Sequence, residues 1–126
     1  MATTNEESWE IVFYRGKNGK RPVQEFLDSL SKTARVAVLR DLSLLKEFGI
    51  KLGFPTVRSI ASVRKLWELR VKTNDGAVRV FYAALTGRRF ILLHGFIKKT
   101  DKTPKTELEL AAKRLQEVLA REERNG

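Results

Sequence analysis

Three strand-like runs joined by two short turns occupy the second half of the chain and restrict its fold more than any other feature. Each run is rich in β-branched and aromatic residues, and together they cover residues 64–71, 77–85 and 89–97. The first turn contains Asp75-Gly76, a pair that tolerates the positive φ angles of a tight hairpin, and the second contains Thr86-Gly87. Consecutive strands joined by short turns pair antiparallel, so the sequence predicts an antiparallel meander.

The elements on either side of the meander complete the predicted fold. A β-rich run, Trp9–Tyr14, predicts a first strand, and residues 50–63 are interpreted as an ordered loop. Apolar residues at three- and four-residue spacing predict three helices, which cover about residues 22–30, 32–48 and 104–121. The order β-α-α-β-β-β-α indicates an α+β domain, an antiparallel sheet with helices packed on one face and the other face free.

Length and composition limit the classes of protein that remain. A chain of 126 residues is long enough for one core, so we expect a single domain over residues 1–126 with flexible tails at 1–8 and 122–126. The formal net charge of +10 predicts a polyanionic partner, most commonly nucleic acid. No apolar run approaches a membrane span and the N-terminus is polar, so we expect a cytoplasmic protein that does not contact membranes.

Most enzyme signatures are missing from the sequence. It contains no cysteine and one histidine, and it shows no closely spaced set of metal ligands or glycine-rich phosphate loop. We therefore expect neither a metal nor another cofactor. Any chemistry must depend largely on positive charge.

Basic residues at the ends of the predicted strands form the candidate catalytic cluster. Arg70 ends the second strand, Arg79 lies just beyond the Asp-Gly turn, and Lys98 and Lys99 end the fourth strand. Antiparallel pairing brings these ends to one edge of the sheet, where several cations could hold a phosphate and stabilise its transition state. The alternative is that these charges simply solvate a sheet edge.

Further side chains near this cluster are candidates for RNA binding. Aromatic residues interleaved with cations suit base stacking, and the basic loop after the fourth strand suits phosphate. Glu68 could take a proton or neutralise Arg70, and His94 is either a base or a hydrogen-bonded structural residue. Trp67 has the parity of Leu69 and is assigned to the core. The candidate RNA-binding residues are Lys65, Glu68, Phe81, His94, Phe96 and Lys102.

Three ordered motifs carry a family resemblance. They are the runs Lys65–Arg70, Arg79–Tyr82 and His94–Thr100, the last followed by Thr103-Pro104. With these motifs the chain resembles HigB-type toxins of the RelE/ParE toxin superfamily, a group that includes many phage-derived genes. The resemblance covers about residues 9–121 and implies a RelE-like fold.

The resemblance also implies an activity and partners. HigB-type toxins are ribosome-dependent messenger-RNA endoribonucleases that are neutralised by a helix-turn-helix, HigA-like antitoxin. In such enzymes the 2′-hydroxyl of the RNA attacks the adjacent phosphate, and basic residues assist without a metal. Carried over to this chain, the catalytic positions are Arg70, Arg79, Lys98 and Lys99.

The chain departs from the RelE pattern in two respects, and two alternatives remain open. No tyrosine follows Tyr82, and Glu68 occupies a position where a second cation is expected. The superfamily also contains ParE-like gyrase inhibitors, which share the fold without the nuclease chemistry. The other alternative is a non-catalytic basic module that binds RNA or an acidic protein.

Overall fold

A five-stranded sheet forms the centre of the computed structural model, which describes residues 8–53 and 55–125. Its strands are β1 (Glu10–Phe13), β2 (Val57–Ser59), β3 (Trp67–Thr73), β4 (Gly76–Leu85) and β5 (Arg89–Lys98). They are arranged in the order β1-β5-β4-β3-β2. The helices are α1 (Pro22–Ser29), α2 (Lys32–Phe48), a 3-10 turn (Gly49–Lys51) and α3 (Lys105–Asn125).

The α+β class and the meander β3-β4-β5 are confirmed, but the sheet is mixed rather than antiparallel. β1 runs parallel to β5, with Glu10 opposite Arg89 and Phe13 opposite Leu92. Two helices and three strands separate β1 from β5 in the chain, so no hairpin imposes an antiparallel direction on this pair. The predicted loop 50–63 also contains β2, which extends the sheet beyond β3.

Helices cover both faces of the sheet, so the prediction of a free face is wrong. Helices α1 and α2 bury their apolar stripes against one face, which includes Val78 and Val80. Helix α3 covers the opposite face, where Ala111 and Leu115 belong to the same buried cluster as Phe81. The central strands carry large apolar side chains on both faces, and each face needs a cover to remove them from water.

The two ends of the chain and one aromatic residue also differ from expectation. Residues 122–125, predicted as a flexible tail, continue helix α3, and Glu122 forms an ion pair with Arg89. The predicted N-terminal tail lies outside the described residues except for Ser8. Trp67, the first residue of β3, is 40% exposed rather than part of the core. None of the described helices has the length and apolar character needed to cross a membrane.

A polar junction fixes helix α2 to the β3–β4 hairpin. The Ser31 hydroxyl accepts a hydrogen bond from the Ala34 amide at 3.2 Å, which is the N-cap arrangement. The carboxylate of Asp75, in the hairpin turn, accepts hydrogen bonds from the Ser31 amide at 2.8 Å and from its hydroxyl at 2.6 Å. One serine therefore links the helix to a turn 44 residues away along the chain.

We expect Ser31→Ala to lower the free energy of unfolding by about 1 kcal/mol, because the helix loses its cap and the hairpin loses one of its hydrogen-bond donors. Ser43→Ala, at an exposed position within the same helix, is the matched control. Alanine is the better helix former, so the control should be neutral or slightly stabilising. Urea denaturation measures both variants, and equal effects would contradict the role assigned to Ser31.

The junction should also respond to acid. Hydrogen bonds from Ser31 lower the pKa of Asp75 below its ordinary value. The contribution of Asp75 to stability is therefore complete above its ordinary pKa of about 4 and is lost as the pH falls through the lower folded pKa.

We expect the difference in unfolding free energy between the wild type and Asp75→Ala to stay constant from about pH 8 to pH 5 and to shrink below about pH 4. Urea denaturation at a series of pH values measures it. In a Ser31→Ala background the pH-dependent part should decrease. If it persists undiminished, Ser31 is not its cause.

Candidate functional site

The register of β3, β4 and β5 brings three of the predicted catalytic residues to one face of the sheet. Arg70 lies directly opposite Arg79, and Arg79 lies opposite Phe96. Lys98 follows two residues after Phe96 on β5 and therefore projects from the same face. Arg70, Arg79 and Lys98 are therefore neighbours at one end of the sheet, as strand order predicted.

A buried carboxylate lies between the two arginines. Glu68 Oε1 is 3.6 Å from Arg79 Nε and 3.8 Å from Arg70 Nε. Glu68 is 3% exposed and Arg79 is 8% exposed, whereas Arg70 is only half-buried. Glu68 therefore occupies the centre of the basic cluster and neutralises part of its charge.

The charge of Arg79 is held in an environment that solvates it poorly. Burial lowers the pKa of the Arg79 guanidinium, Glu68 raises it, and Arg70 lowers it. The guanidinium stays protonated at physiological pH because its ordinary pKa is so high. Arg79 Nη1 donates to the Val78 carbonyl at 3.3 Å, but neither Arg79 Nε nor Glu68 Oε2 has a hydrogen-bond partner among the described residues. Such unsatisfied buried groups are uncommon in folded proteins.

An open cleft of about 380 Å³ adjoins this cluster. It lies between β2, the end of β5 and the start of α3, and its charged lining residues are Arg58, Glu68, Lys98, Asp101 and Lys102. Two predicted residues of the C-terminal basic run, Lys98 and Lys102, therefore meet at the cleft. Glu68 is the member of the buried ion-paired group that reaches the cleft lining.

Two of the lysines that were predicted as site residues, Lys65 and Lys99, do not line the cleft. Lys99 is exposed and follows the last residue of β5. Lys65 is exposed, adopts a left-handed backbone with φ of 71°, and borders a separate depression against α3. These residues can contribute to a basic surface but do not share the cleft with Lys98.

The two phenylalanines proposed as stacking platforms are buried. Phe81 is 0% exposed and Phe96 is 8% exposed, and their ring centroids lie 5.5 Å apart. Both belong to the apolar cluster beneath α3. Because α3 covers the face that the sequence had indicated as free, neither ring is accessible for stacking on an RNA base.

His94 connects strand β5 to helix α3. Its Nε2 is 2.9 Å from Glu107 Oε2, and Arg114 Nη1 is 3.4 Å from its Nδ1 and 2.8 Å from the Leu93 carbonyl oxygen. A guanidinium only donates, so Nδ1 accepts and the neutral ring carries its proton on Nε2, which donates to Glu107. Both ring nitrogens are therefore engaged by α3, as expected for the structural alternative that the sequence left open.

Burial also affects the arginine that holds this histidine. It lowers the pKa of Arg114, and the nearby Tyr14 and Glu117 raise it. The guanidinium of Arg114 lies 5.1 Å from the centroid of the Tyr14 ring, a cation–π arrangement that stabilises the charge. The polar network beneath α3 thus continues from His94 to the end of β1.

Sequence reasoning missed Arg58, Glu107 and Arg114. Arg58 lies opposite Glu68 in the β2–β3 pairing, but a three-residue strand gives no detectable alternation. Glu107 and Arg114 are about two helical turns apart, and Glu107 lies about one turn before Ala111, where the buried stripe of α3 begins. That spacing could have indicated polar residues facing the sheet.

Among the described residues, no group of three or more histidine, cysteine, aspartate and glutamate side chains could hold a metal ion.

Comparison with known proteins identifies the family. The family described as "Phage derived protein Gp49-like (DUF891)" matches residues 25–116, a range that includes β2 to β5 and the whole cleft lining. The chain belongs to the Gp49-like family. Gp49-like proteins are RelE-like toxins of toxin–antitoxin systems, a family associated with endonuclease activity and with an antitoxin partner. No curated protein matches the chain.

The Glu68 cluster gives a testable stability prediction. Glu68→Ala leaves the buried Arg79 without its counter-charge, so we expect the free energy of unfolding to fall by about 3 kcal/mol. Replacing both partners, as in Glu68→Leu/Arg79→Met, should recover more than half of that loss, because no buried charge then remains.

Glu109→Ala, which removes an exposed carboxylate from α3, is the control and should change stability by less than about 0.5 kcal/mol. Urea denaturation compares the variants. If Glu68→Ala destabilises no more than Glu109→Ala, the pairing with Arg79 does not stabilise the fold.

Proposed function

We propose that this chain is a HigB-type toxin that cleaves messenger RNA on the ribosome. One observation carries the proposal: Arg70, Arg79 and Lys98 share one face of the sheet beside a cleft that Arg58 and Lys102 also line. Membership of a RelE-like toxin family supports the same reading. The cytoplasm, where messenger RNA is translated, is the proposed location.

The chemistry needs charge rather than a redox group. The 2′-oxygen of one nucleotide attacks the adjacent phosphorus, and the bond from phosphorus to the 5′-oxygen of the next nucleotide breaks. The products are a 2′,3′-cyclic phosphate and a free 5′-hydroxyl, so one proton leaves the 2′-hydroxyl and one reaches the departing oxygen. The pentacoordinate transition state carries extra negative charge, which fixed cations stabilise.

The cations have different proposed roles because their environments differ. Arg79 is buried and fixed by Glu68, so its charge acts in a low-dielectric setting where electrostatic stabilisation is strongest. Lys98 lines the cleft and can reach a phosphate oxygen there. Arg70 is half-buried on the other side of Arg79 from Lys98, and Glu68 is a positioning residue that orients both guanidinium groups.

The remaining basic residues extend the proposed RNA contact beyond the scissile phosphate. Arg58 and Lys102 line the cleft, and the exposed Lys65 and Lys99 add charge outside it. Such contacts position the RNA without requiring a particular base sequence. The proposed partners are the ribosome with its messenger RNA, and a helix-turn-helix, HigA-like antitoxin that keeps the toxin inactive.

Adjacent lysines give the sharpest test of the cleft. We expect Lys98→Met to lower the rate of messenger-RNA cleavage about 100-fold, because it removes one charge aimed at the transition state. Lys99→Met removes the same charge one residue later, outside the cleft lining, and should lower the rate by only a few-fold. The measurement is the rate of appearance of new RNA 5′ ends in a translating extract, with thermal melting to verify folding.

Equal losses in the two variants would contradict the assignment of the cleft as the catalytic site. No cleavage by the wild-type protein, together with a DNA-damage response on expression, would instead indicate a gyrase inhibitor. Salt-sensitive RNA binding without any cleaved product would indicate a non-catalytic module.

A further inference from the structure

A second basic surface lies at the other edge of the sheet, away from the cleft. We define the loop surface as Arg15, Lys17 and Lys20 from the β1–α1 connection with Arg121 and Arg124 from the last turns of α3. It borders two adjoining depressions of about 570 and 480 Å³. All five residues lie outside residues 25–116, the part of the chain that the Gp49-like family matches.

The backbone of the loop is held in a defined conformation. The Gly16 amide donates to the Lys20 carbonyl and the Gly19 amide donates to the Gly16 carbonyl, both at 2.9 Å. The Lys20 amide donates to the Asn18 side chain at 3.0 Å, and Arg121 Nη1 donates to the Arg15 carbonyl at 3.2 Å. Gly19 has a φ of +81°, which a side chain would strain. The loop therefore presents its cations from a fixed backbone, which reduces the entropy lost on binding.

The loop surface has a strong excess of positive charge. Six basic side chains and two carboxylates, Glu25 and Glu117, line the two depressions. Glu117 already accepts a hydrogen bond from the Tyr14 hydroxyl at 2.5 Å and lies 3.7 Å from Arg121. Lys17, Lys20 and Arg124 are exposed, and none of them forms an ion pair with another described residue. Their charge is thus available to a ligand.

The chemistry of the surface favours phosphate over an acidic protein. Protein interfaces bury an apolar centre within a polar rim. The large apolar side chains that the described structure exposes are Val36, Leu39, Phe48, Ile50 and Trp67, and none lines these depressions. Nucleic-acid interfaces are instead polar and strongly positive.

The position of the surface indicates how it would cooperate with the cleft. The loop follows β1 at one edge of the sheet, whereas Arg58 lies on β2 at the other. Adjacent strands are about 4.8 Å apart, so the four intervals between β1 and β2 separate the two edges by about 19 Å. This span is wide enough for two different RNA segments to contact the two basic surfaces at once.

We propose that the loop surface is a second RNA-binding site that holds the phosphate backbone of structured ribosomal RNA while the cleft holds the messenger RNA. This inference rests on the proposed function, because it assigns the ribosome contact to a specific surface. Binding there supplies affinity without base specificity, since lysine and arginine contact phosphates that every sequence has.

A charge-matched pair of triple variants tests the proposal. The loop variant is Lys17→Gln/Lys20→Gln/Arg124→Gln, and the control, Lys32→Gln/Arg40→Gln/Lys46→Gln, removes the same three charges from exposed positions on α2. Both are made in a Lys98→Met background, so that RNA survives the binding measurement. Affinity is measured by co-sedimentation with purified ribosomes and by binding to protein-free ribosomal RNA over a range of salt concentrations.

We expect the loop variant to bind ribosomes about tenfold more weakly near 0.15 M salt and to reduce the slope of log affinity against log salt by about two. The α2 control should retain the wild-type slope and most of its affinity. Equal losses in the two triple variants would overturn the proposal, because total charge alone would then explain binding. If the loop variant binds ribosomes more weakly but binds protein-free ribosomal RNA as before, the proposal is overturned, because the loop surface would then contact a ribosomal protein.

The outcomes separate this inference from the proposed function. If the protein with Lys98 intact cleaves messenger RNA and the loop variant binds ribosomes normally, the inference fails and the proposed function stands. If the protein with Lys98 intact does not cleave RNA, but the loop variant binds ribosomes more weakly than the α2 control does, the inference stands and the nuclease assignment fails.

Discussion

Strand β4 pairs antiparallel with β3 on one side and with β5 on the other, and this pairing positions the charged side chains of the candidate site. Its register sets Arg79 between Arg70 and Phe96 and sets Ala77 beside Lys98. A bulge near Phe81 and Tyr82 shifts the register, so that His94 lies opposite Phe81. Without that shift, His94 would have the opposite parity and could not meet Glu107 on α3. The same hydrogen-bond ladder thus builds the core and sets both the basic cluster and the histidine on the face that α3 partly covers.

The buried ion pair at the candidate site adds little to the stability of the fold. A charged pair as buried as Glu68 and Arg79 gains little net stability, because the loss of hydration offsets much of the attraction. An apolar pair could fill the same space. What the ion pair provides is a fixed guanidinium in a poorly solvated place, which suits the phosphate recognition proposed for this site. Helix α3 contributes by covering the apolar part of the face and leaving Glu68 and Lys98 at an open cleft.

Much of the fold could be predicted from local pattern, and the exceptions share a cause. Helix α2 follows its apolar stripe from Lys32 to Phe48, and the hairpin turns follow their glycines. Strand β2 was missed because three residues are too few to show the alternation of apolar and polar side chains. The parallel direction of β1 was missed because it depends on pairing with β5, which is distant in the chain. The basic cluster Arg70, Arg79 and Lys98 could be placed from strand order alone. The burial of Phe81 and Phe96 could not, because a strand's parity does not reveal which helix covers a face.

By itself, the sequence determined the class of elements, the order of the meander and the strong positive charge, since periodicity, turn residues and composition are local properties. It also determined, through strand direction, that three cations meet at one edge. Only the tertiary structure decided that Glu68 lies buried between the arginines, that Lys98 and not Lys99 lines the cleft, and that His94 is engaged by α3. These outcomes depend on how helices and strands distant in the chain pack together, because packing sets the burial and the partners of each charge.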